Sequence, residues 1–212
     1  MKYVKLILIA AILAFVILCY VELRKKCDSK SNYTRLGSGR SMSCGGSSLC
    51  GTLTIETGLG SGNYGHQGVP GVHGLWPETG NYGSSQCIAP ENTTFDGTGN
   101  CNYLNDSDNC SGYIGEGPGK SGSFCFPYHE WSKHGQCAGG SGPSSTFFAT
   151  ACQLGAPIVN MLSQHSSWDD MVSAVQSSQW SDYLWDTDTN NKQFEFSVQS
   201  NDGGYTWNFF NA

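Results

Sequence analysis

Two stretches of this sequence have the make-up of a proton-transfer site: Val72-His-Gly-Leu-Trp-Pro77 and Phe126-Pro-Tyr-His-Glu-Trp-Ser-Lys-His-Gly-Gln-Cys137. On a helix, His129 and Lys133 are four residues apart and share one face, and Glu130 and His134 share the adjacent face. Two imidazoles, an ammonium and a carboxylate then project from barely two turns. The plain alternative is a solvated helix face held by such pairs. A zinc-protease reading fails on geometry. It needs two histidines four apart on one face, whereas His129 and His134 are five apart, about 140° around the helix. No metal site and no cofactor are expected. His66, in a Gly-rich loop, and His165, at a helix–helix junction, read as ordinary surface residues.

The chemistry that uses such a set is transfer of a phosphodiester to its own 2′-hydroxyl. That reaction needs a base for the hydroxyl, an acid for the departing 5′-oxygen, and donors or positive charge around the phosphorane-like transition state. Two imidazoles with reference pKa values near 6.5 hold opposite protonation states at mildly acidic pH. Lys133 would neutralise charge on the phosphoryl oxygens, with His129 as a further donor. The 2′-hydroxyl belongs to RNA, so single-stranded RNA is the expected partner and DNA is not.

The elements that must carry these residues follow from the local patterns. Leu53, Ile55 and Thr57 alternate with Thr52, Thr54 and Glu56, which predicts a strand within Leu49 to Leu59. Val69 to Trp76 is a second short apolar stretch. Phe126 to Cys137 predicts a helix with Pro127 in its first turn. A second helix is capped by Ser144 or Ser145 and is kinked or ended by Pro157. A third runs through Trp168, Met171, Val172 and Val175, with Asp169 and Asp170 near its start. Phe194, Phe196 and Val198 predict a strand, then a turn at Asn201-Asp-Gly-Gly and a strand from Tyr205 to Phe210. Strands flanking a helical middle indicate α+β. Glu78 to Gly122, rich in Gly, Asn, Ser and Asp, is a long loop region that only its cysteines make credible.

The chain has 212 residues, 28 of them glycine, with 13% charged residues and a formal net charge of −6. No global positive field attracts phosphate, so nucleic acid must bind at a local basic site. Leu6 to Val21 is an unbroken apolar run between Lys2, Lys5 and Arg24, Lys25, Lys26. It reads as a targeting segment over residues 1–26, either a signal peptide or a signal anchor. The absence of a small-x-small exit favours the anchor. Residues 27–43 read as a linker and 44–212 as the domain. Of ten cysteines, eight lie between Cys44 and Cys152, none in a C-x-x-C pair, which indicates a disulfide framework. Sequons at Asn32, Asn92, Asn105 and Asn109 all follow the apolar run. The domain is therefore expected on the oxidising side of a membrane: secreted, in a lysosomal or vacuolar lumen, or tethered through residues 6–21.

The segments HGLWP at 73–77 and HEWSKHGQC at 129–137 resemble the two active-site segments of the T-two ribonucleases, acid transferase-type enzymes that include fungal and plant S-type members. The likeness runs from Cys44 to Phe210. It implies an α+β fold, an antiparallel sheet packed with helices and stapled by disulfides. It also implies a monomeric, metal-independent endoribonuclease that makes 2′,3′-cyclic phosphate ends and then hydrolyses them more slowly to 3′-phosphates. By this resemblance His134 corresponds to the general base and His73 to the general acid. Glu130 and Lys133 correspond to transition-state stabilisers, His129 to the phosphate-binding histidine and Trp76 to an aromatic beside the substrate. For Trp131 core packing is the better reading. Cys87 follows the first segment and Cys137 the second, so a Cys87–Cys137 bridge would fasten the two together, and the resemblance implies the same pair. Cys101–Cys110 and Cys50–Cys152 are secondary expectations.

The sequence also departs from the family. Thr54-Ile-Glu-Thr-Gly-Leu-Gly60 stands where a tryptophan-containing stretch borders a base pocket, so base preference does not carry over. Tyr64 is the only aromatic nearby to offer a platform. Gln136 replaces a common threonine, and the C-terminus lacks late cysteines. Two other classes compete: a catalytically silent RNA-binding glycoprotein on the same fold, and a structural secreted glycoprotein. Neither has a use for both proton-transfer histidines.

Overall fold

The computed structural model describes residues 41–61, 68–99, 101 and 126–212, all within one unit, Arg35–Ala212. The apolar run at 6–21, three of the sequons (Asn32, Asn105, Asn109), His66, Tyr64 and Cys110 lie outside the described residues. Among the described residues no helix is long and apolar enough to cross a membrane.

The protein is α+β. In chain order come β1 (Leu49–Glu56), β2 (Gly71–Pro77), α1 (Phe126–Lys133), α2 (Ser144–Leu162), α3 (Trp168–Gln176), β3 (Leu184–Asp188), β4 (Gln193–Ser200) and β5 (Asn208–Phe209). The sheet is antiparallel with order β2-β1-β4-β3, and β5 continues along the β4 edge beyond β3. β1 is central and buried over its whole length. Its alternation divides the sheet into two faces. Leu53 and Ile55 face the same way as their partners Phe196 and Phe194, and with Val72 and Leu75 they form the core with Phe148, Ala151, Ile158 and Leu162 of α2. Gly155 lets α2 lie close to the sheet, since a Cβ there would run into Val72. Thr52, Thr54 and Glu56 point to the opposite face, beside Ser197, Glu195 and Gln193. This second face is buried yet polar, and His73 lies on it.

Several local expectations are corrected. Of the two expectations for Pro157, that it ends the helix is overturned: it lies inside α2, which continues to Leu162. Ile158, Val159 and Leu162 are buried there, and their packing holds the last turn despite the lost backbone donor. Neither Ser144 nor Ser145 caps its own helix. The Asp96 carboxylate accepts from the Ser145 amide (2.8 Å) and from both serine hydroxyls (2.9 and 2.7 Å), so the cap comes from the preceding loop. α3, by contrast, is capped locally by Ser167, whose hydroxyl accepts from the Asp170 amide. β3 is an additional strand. Of the stretch from Tyr205 to Phe210, only Asn208–Phe209 pairs.

Packing extends two residues ahead of Cys44. Met42 is buried and exchanges backbone hydrogen bonds with Tyr82 and Ser84. Among the described residues three disulfides are formed: Cys44–Cys50, Cys87–Cys137 and Cys101–Cys152. The expected Cys50–Cys152 and Cys101–Cys110 pairs are replaced. Cys50 packs with Met42, Cys44 and Trp185, whereas Cys152 sits on α2 in the main core, so separate clusters keep Cys50 and Cys152 apart. Cys101 is taken by Cys152.

Candidate active site

A bulge in the β1–β2 ladder, between Thr54 and Ile55, sets the position of His73. Gly74 pairs with Thr54 and Val72 with Ile55, leaving His73 as the extra residue, turned to the polar face. The residue is 7% exposed, and its ring has a carboxylate at each nitrogen. Glu56 Oε1 lies 2.5 Å from Nδ1 and Glu130 Oε1 lies 3.4 Å from Nε2. Gln193 donates to the same Glu56 oxygen at 3.2 Å.

Glu130 comes from α1 and is buried. It fits only because residue 74 is glycine: a Cβ there would collide with its carboxylate and with the Trp76 indole nitrogen. The second Glu130 oxygen accepts the Trp76 indole N–H at 2.7 Å. α1 ends at Lys133. His134 keeps a bond from its amide to the Glu130 carbonyl (2.9 Å), then leaves helical geometry at φ −121° and ψ −47° and opens a 3₁₀ turn, Gly135–Cys137. Gly135 is required because the Trp131 ring packs where its Cβ would be. The His134 ring stacks on Trp76 at 5.2 Å between centroids, while His73 meets the same indole edge-on at 4.9 Å. Trp76 thus lies between the two imidazoles, with Glu130 holding its N–H. Trp131 is core: it packs on Phe147 and donates to the Thr93 carbonyl.

Electrostatics separates the two histidines. Burial pushes the His73 pKa down, but Glu130 and Glu56 more than reverse this and raise it to about 10. Burial also pushes His134 down. Glu130 opposes, but the neighbouring basic groups His129, His73 and Lys133 add to the burial effect, leaving its pKa at about 4. His129 is half-buried and also lowered, chiefly by burial. Burial raises Glu130, but His73, His134 and the Trp76 hydrogen bond win and hold it ionised. At neutral pH the site therefore holds one imidazolium, one neutral imidazole and a carboxylate between them.

His73, Trp76, Glu130 and His134 are brought into one cluster. His129 and Lys133 border it electrostatically, with Lys133 exposed on the last turn of α1. The Cys87–Cys137 disulfide closes the 3₁₀ turn that follows His134. Sequence reasoning missed Glu56 and Gln193. The one local signal was a carboxylate ending a strand otherwise made of buried residues; Gln193 gave none. Among the described residues no three His, Cys, Asp or Glu side chains gather as metal ligands. A small cavity between Ala138–Gly142 and Gly204–Trp207 contains none of the clustered side chains. The chain matches no protein-family model, no curated protein and no solved structure.

Proposed function

We propose that this protein is an endoribonuclease of the T-two type that cleaves single-stranded RNA by transphosphorylation. The observation carrying this reading is the placement of two imidazoles on either side of Trp76 in opposite surroundings: buried His73 between Glu56 and Glu130, which raise its pKa to about 10, and half-buried His134 near His73 and Lys133, its pKa lowered to about 4. A base and an acid ready at the same pH are what a one-step exchange of two P–O bonds requires. In this reading neutral His134 removes the 2′-hydroxyl proton, the 2′-oxygen bonds to phosphorus, and the 5′-oxygen departs with a proton from His73. Lys133 and His129 meet the non-bridging oxygens from the open side of α1. The two imidazoles do both proton transfers, so no metal is called for. Trp76, half-buried between them, offers an apolar wall beside the substrate. A silent RNA-binding protein would gain nothing from separating the two imidazole pKa values by such expensive burial.

The three disulfides support residence in the secretory pathway or outside the cell, and Asn92 is an exposed sequon residue on the same domain. A monomer acting in a lumen or at a membrane through residues 6–21 is the form we propose. The test is incubation of purified protein with single-stranded RNA in the presence of a chelator. A 2′,3′-cyclic phosphate should appear before any 3′-phosphate, and the matching DNA should survive. No cleavage of RNA by folded, disulfide-intact protein would end the reading.

A further inference from the structure

The face of the sheet that carries His73 holds a second carboxylate that the proposed reaction does not use. Glu56, at the end of β1, is fully buried, and its Oε1 is 2.5 Å from His73 Nδ1 and 3.2 Å from Gln193 Nε2. Gln193 Nε2 is in turn 2.9 Å from His73 Nδ1. An amide nitrogen carries only donors, so it does not accept from Nδ1–H. The triangle is satisfied when both nitrogens donate to the one carboxylate oxygen. A bare Nδ1 would set its lone pair against the carboxylate, so a proton must lie between Glu56 and His73.

The geometry points to Glu56 as a positioning residue. Its carboxylate holds a proton on His73 Nδ1 and keeps the ring cationic, so that Nε2 is the nitrogen that gives up and regains a proton. The consequence for the reaction rests on the ribonuclease reading. The 2′-oxygen–phosphorus bond forms as the phosphorus–5′-oxygen bond breaks, and the Nε2 proton goes to the 5′-oxygen. His73 is left neutral, still donating through Nδ1 to Glu56. The proton from the 2′-hydroxyl rests on His134, and the hydrolytic step returns both protons.

The surroundings of His73 agree with this assignment. Glu56 faces it from β1, Glu130 from α1 and the uncharged Gln193 from β4. His129, Lys133 and His134, from α1 and the turn after it, are the opposing basic groups. Farther along the same face lie Glu195, and Asp188 of β3 opposite Gln193. Asp188 is engaged by the amides of Asn190 and Asn191 and by the Asn191 side chain. The turn that Asp188 ties leads to Lys192, whose backbone is left-handed at φ 58° and whose carbonyl accepts from both the amide and the hydroxyl of Thr57. This clasp fixes Glu56 and Gln193 in register, so the triad is built by the fold.

The experiment compares wild type with Glu56→Gln and Glu56→Asp by NMR titration of the His73 ring nitrogens and by the pH dependence of kcat/KM. In wild type both ring nitrogens should stay protonated through pH ~8, because two carboxylates flank the ring. In Glu56→Gln the His73 titration and the alkaline limb should both move down by about 1–3 pH units, with Glu56→Asp in between. Above the displaced limb the variant should lose activity about tenfold per pH unit relative to wild type. The assignment is overturned by His73 titrating alike in wild type and Glu56→Gln, or by wild-type His73 titrating near 6.5. If Glu56→Gln does not fold, the wild-type titration decides alone. A protein that leaves RNA intact but shows the His73 shift would refute the enzymatic reading while supporting the Glu56–His73 pairing.

Discussion

Replacing the two histidines one at a time tests which is the acid. At pH 7 a group with a pKa of about 4, such as His134, is protonated in roughly 10⁻³ of molecules. A group with a pKa of about 10, such as His73, is neutral in roughly 10⁻³. With His73 as acid and His134 as base nearly every molecule is competent; with the roles exchanged the competent fraction is on the order of 10⁻⁶. The replacements must respect the site. His73→Phe would strand two buried carboxylates, so His73→Gln, which retains a donor towards Glu56, is the better choice. His134→Phe preserves the stack on Trp76. Each should slow RNA cleavage by on the order of 10²–10⁴. The deciding substrate is a nucleoside 3′-phosphate esterified to 4-nitrophenol, whose leaving group departs without protonation. It should restore most of the rate to His73→Gln and little to His134→Phe, read as nitrophenolate release. Equal rescue, or rescue of His134→Phe alone, would refute the assignment.

Four further outcomes follow from the structure. The kcat/KM profile should be a broad plateau, falling on the acid side as His134 protonates near its pKa of about 4 and on the alkaline side as His73 deprotonates near about 10. A narrow maximum would contradict it. Thermal stability should peak near pH 6.5, the reference histidine value. Above it, the stabilisation from His73, whose pKa is raised, drains away up to about pH 10; below it, neutral burial of His134 becomes costly down to about pH 4. Melting temperatures across that range check both signs. Gly74→Ala should push Glu130 off its two partners and cut kcat by on the order of 10², because a displacement near 1 Å at the reacting groups costs that much. Circular dichroism should show the fold retained. Asp96→Ala should cost about 1 kcal/mol of stability through the lost cap on α2, measurable by urea unfolding, with little change in activity.

The α+β class, β1, β2, the presence of three helices and β4 were legible because each rests on local spacing: period-two alternation, i,i+4 pairs, and acidic residues in a first turn, whereas the cap on α2 comes from Asp96 across a loop. The two clusters at His73 and at His129–His134 were legible for the same reason, since their residue types and spacing are written within twelve positions or fewer. What the sequence could not determine depends on residues far apart in the chain. β3, with only Trp185 and Asp188 buried, has too weak an alternation to announce itself and exists because β4 offers it an edge. Pro157 is tolerated because the helix beyond it packs on the sheet. The Cys44–Cys50 and Cys101–Cys152 partners follow from which cluster each cysteine joins. Glu56 and Gln193 are 137 residues apart and meet only through strand register, held by the left-handed turn at Lys192 and the bulge that re-aims His73. The protonation states were likewise beyond the sequence. Both histidines start from 6.5, which pointed to an acidic optimum. Burial acting alike on both, with two carboxylates against one ring and basic groups beside the other, separates them into a protonated and a neutral imidazole. Residue identity put the imidazoles on the chain; only the tertiary fold chose what surrounds each of them, because desolvation and Coulomb energy depend on distance in space.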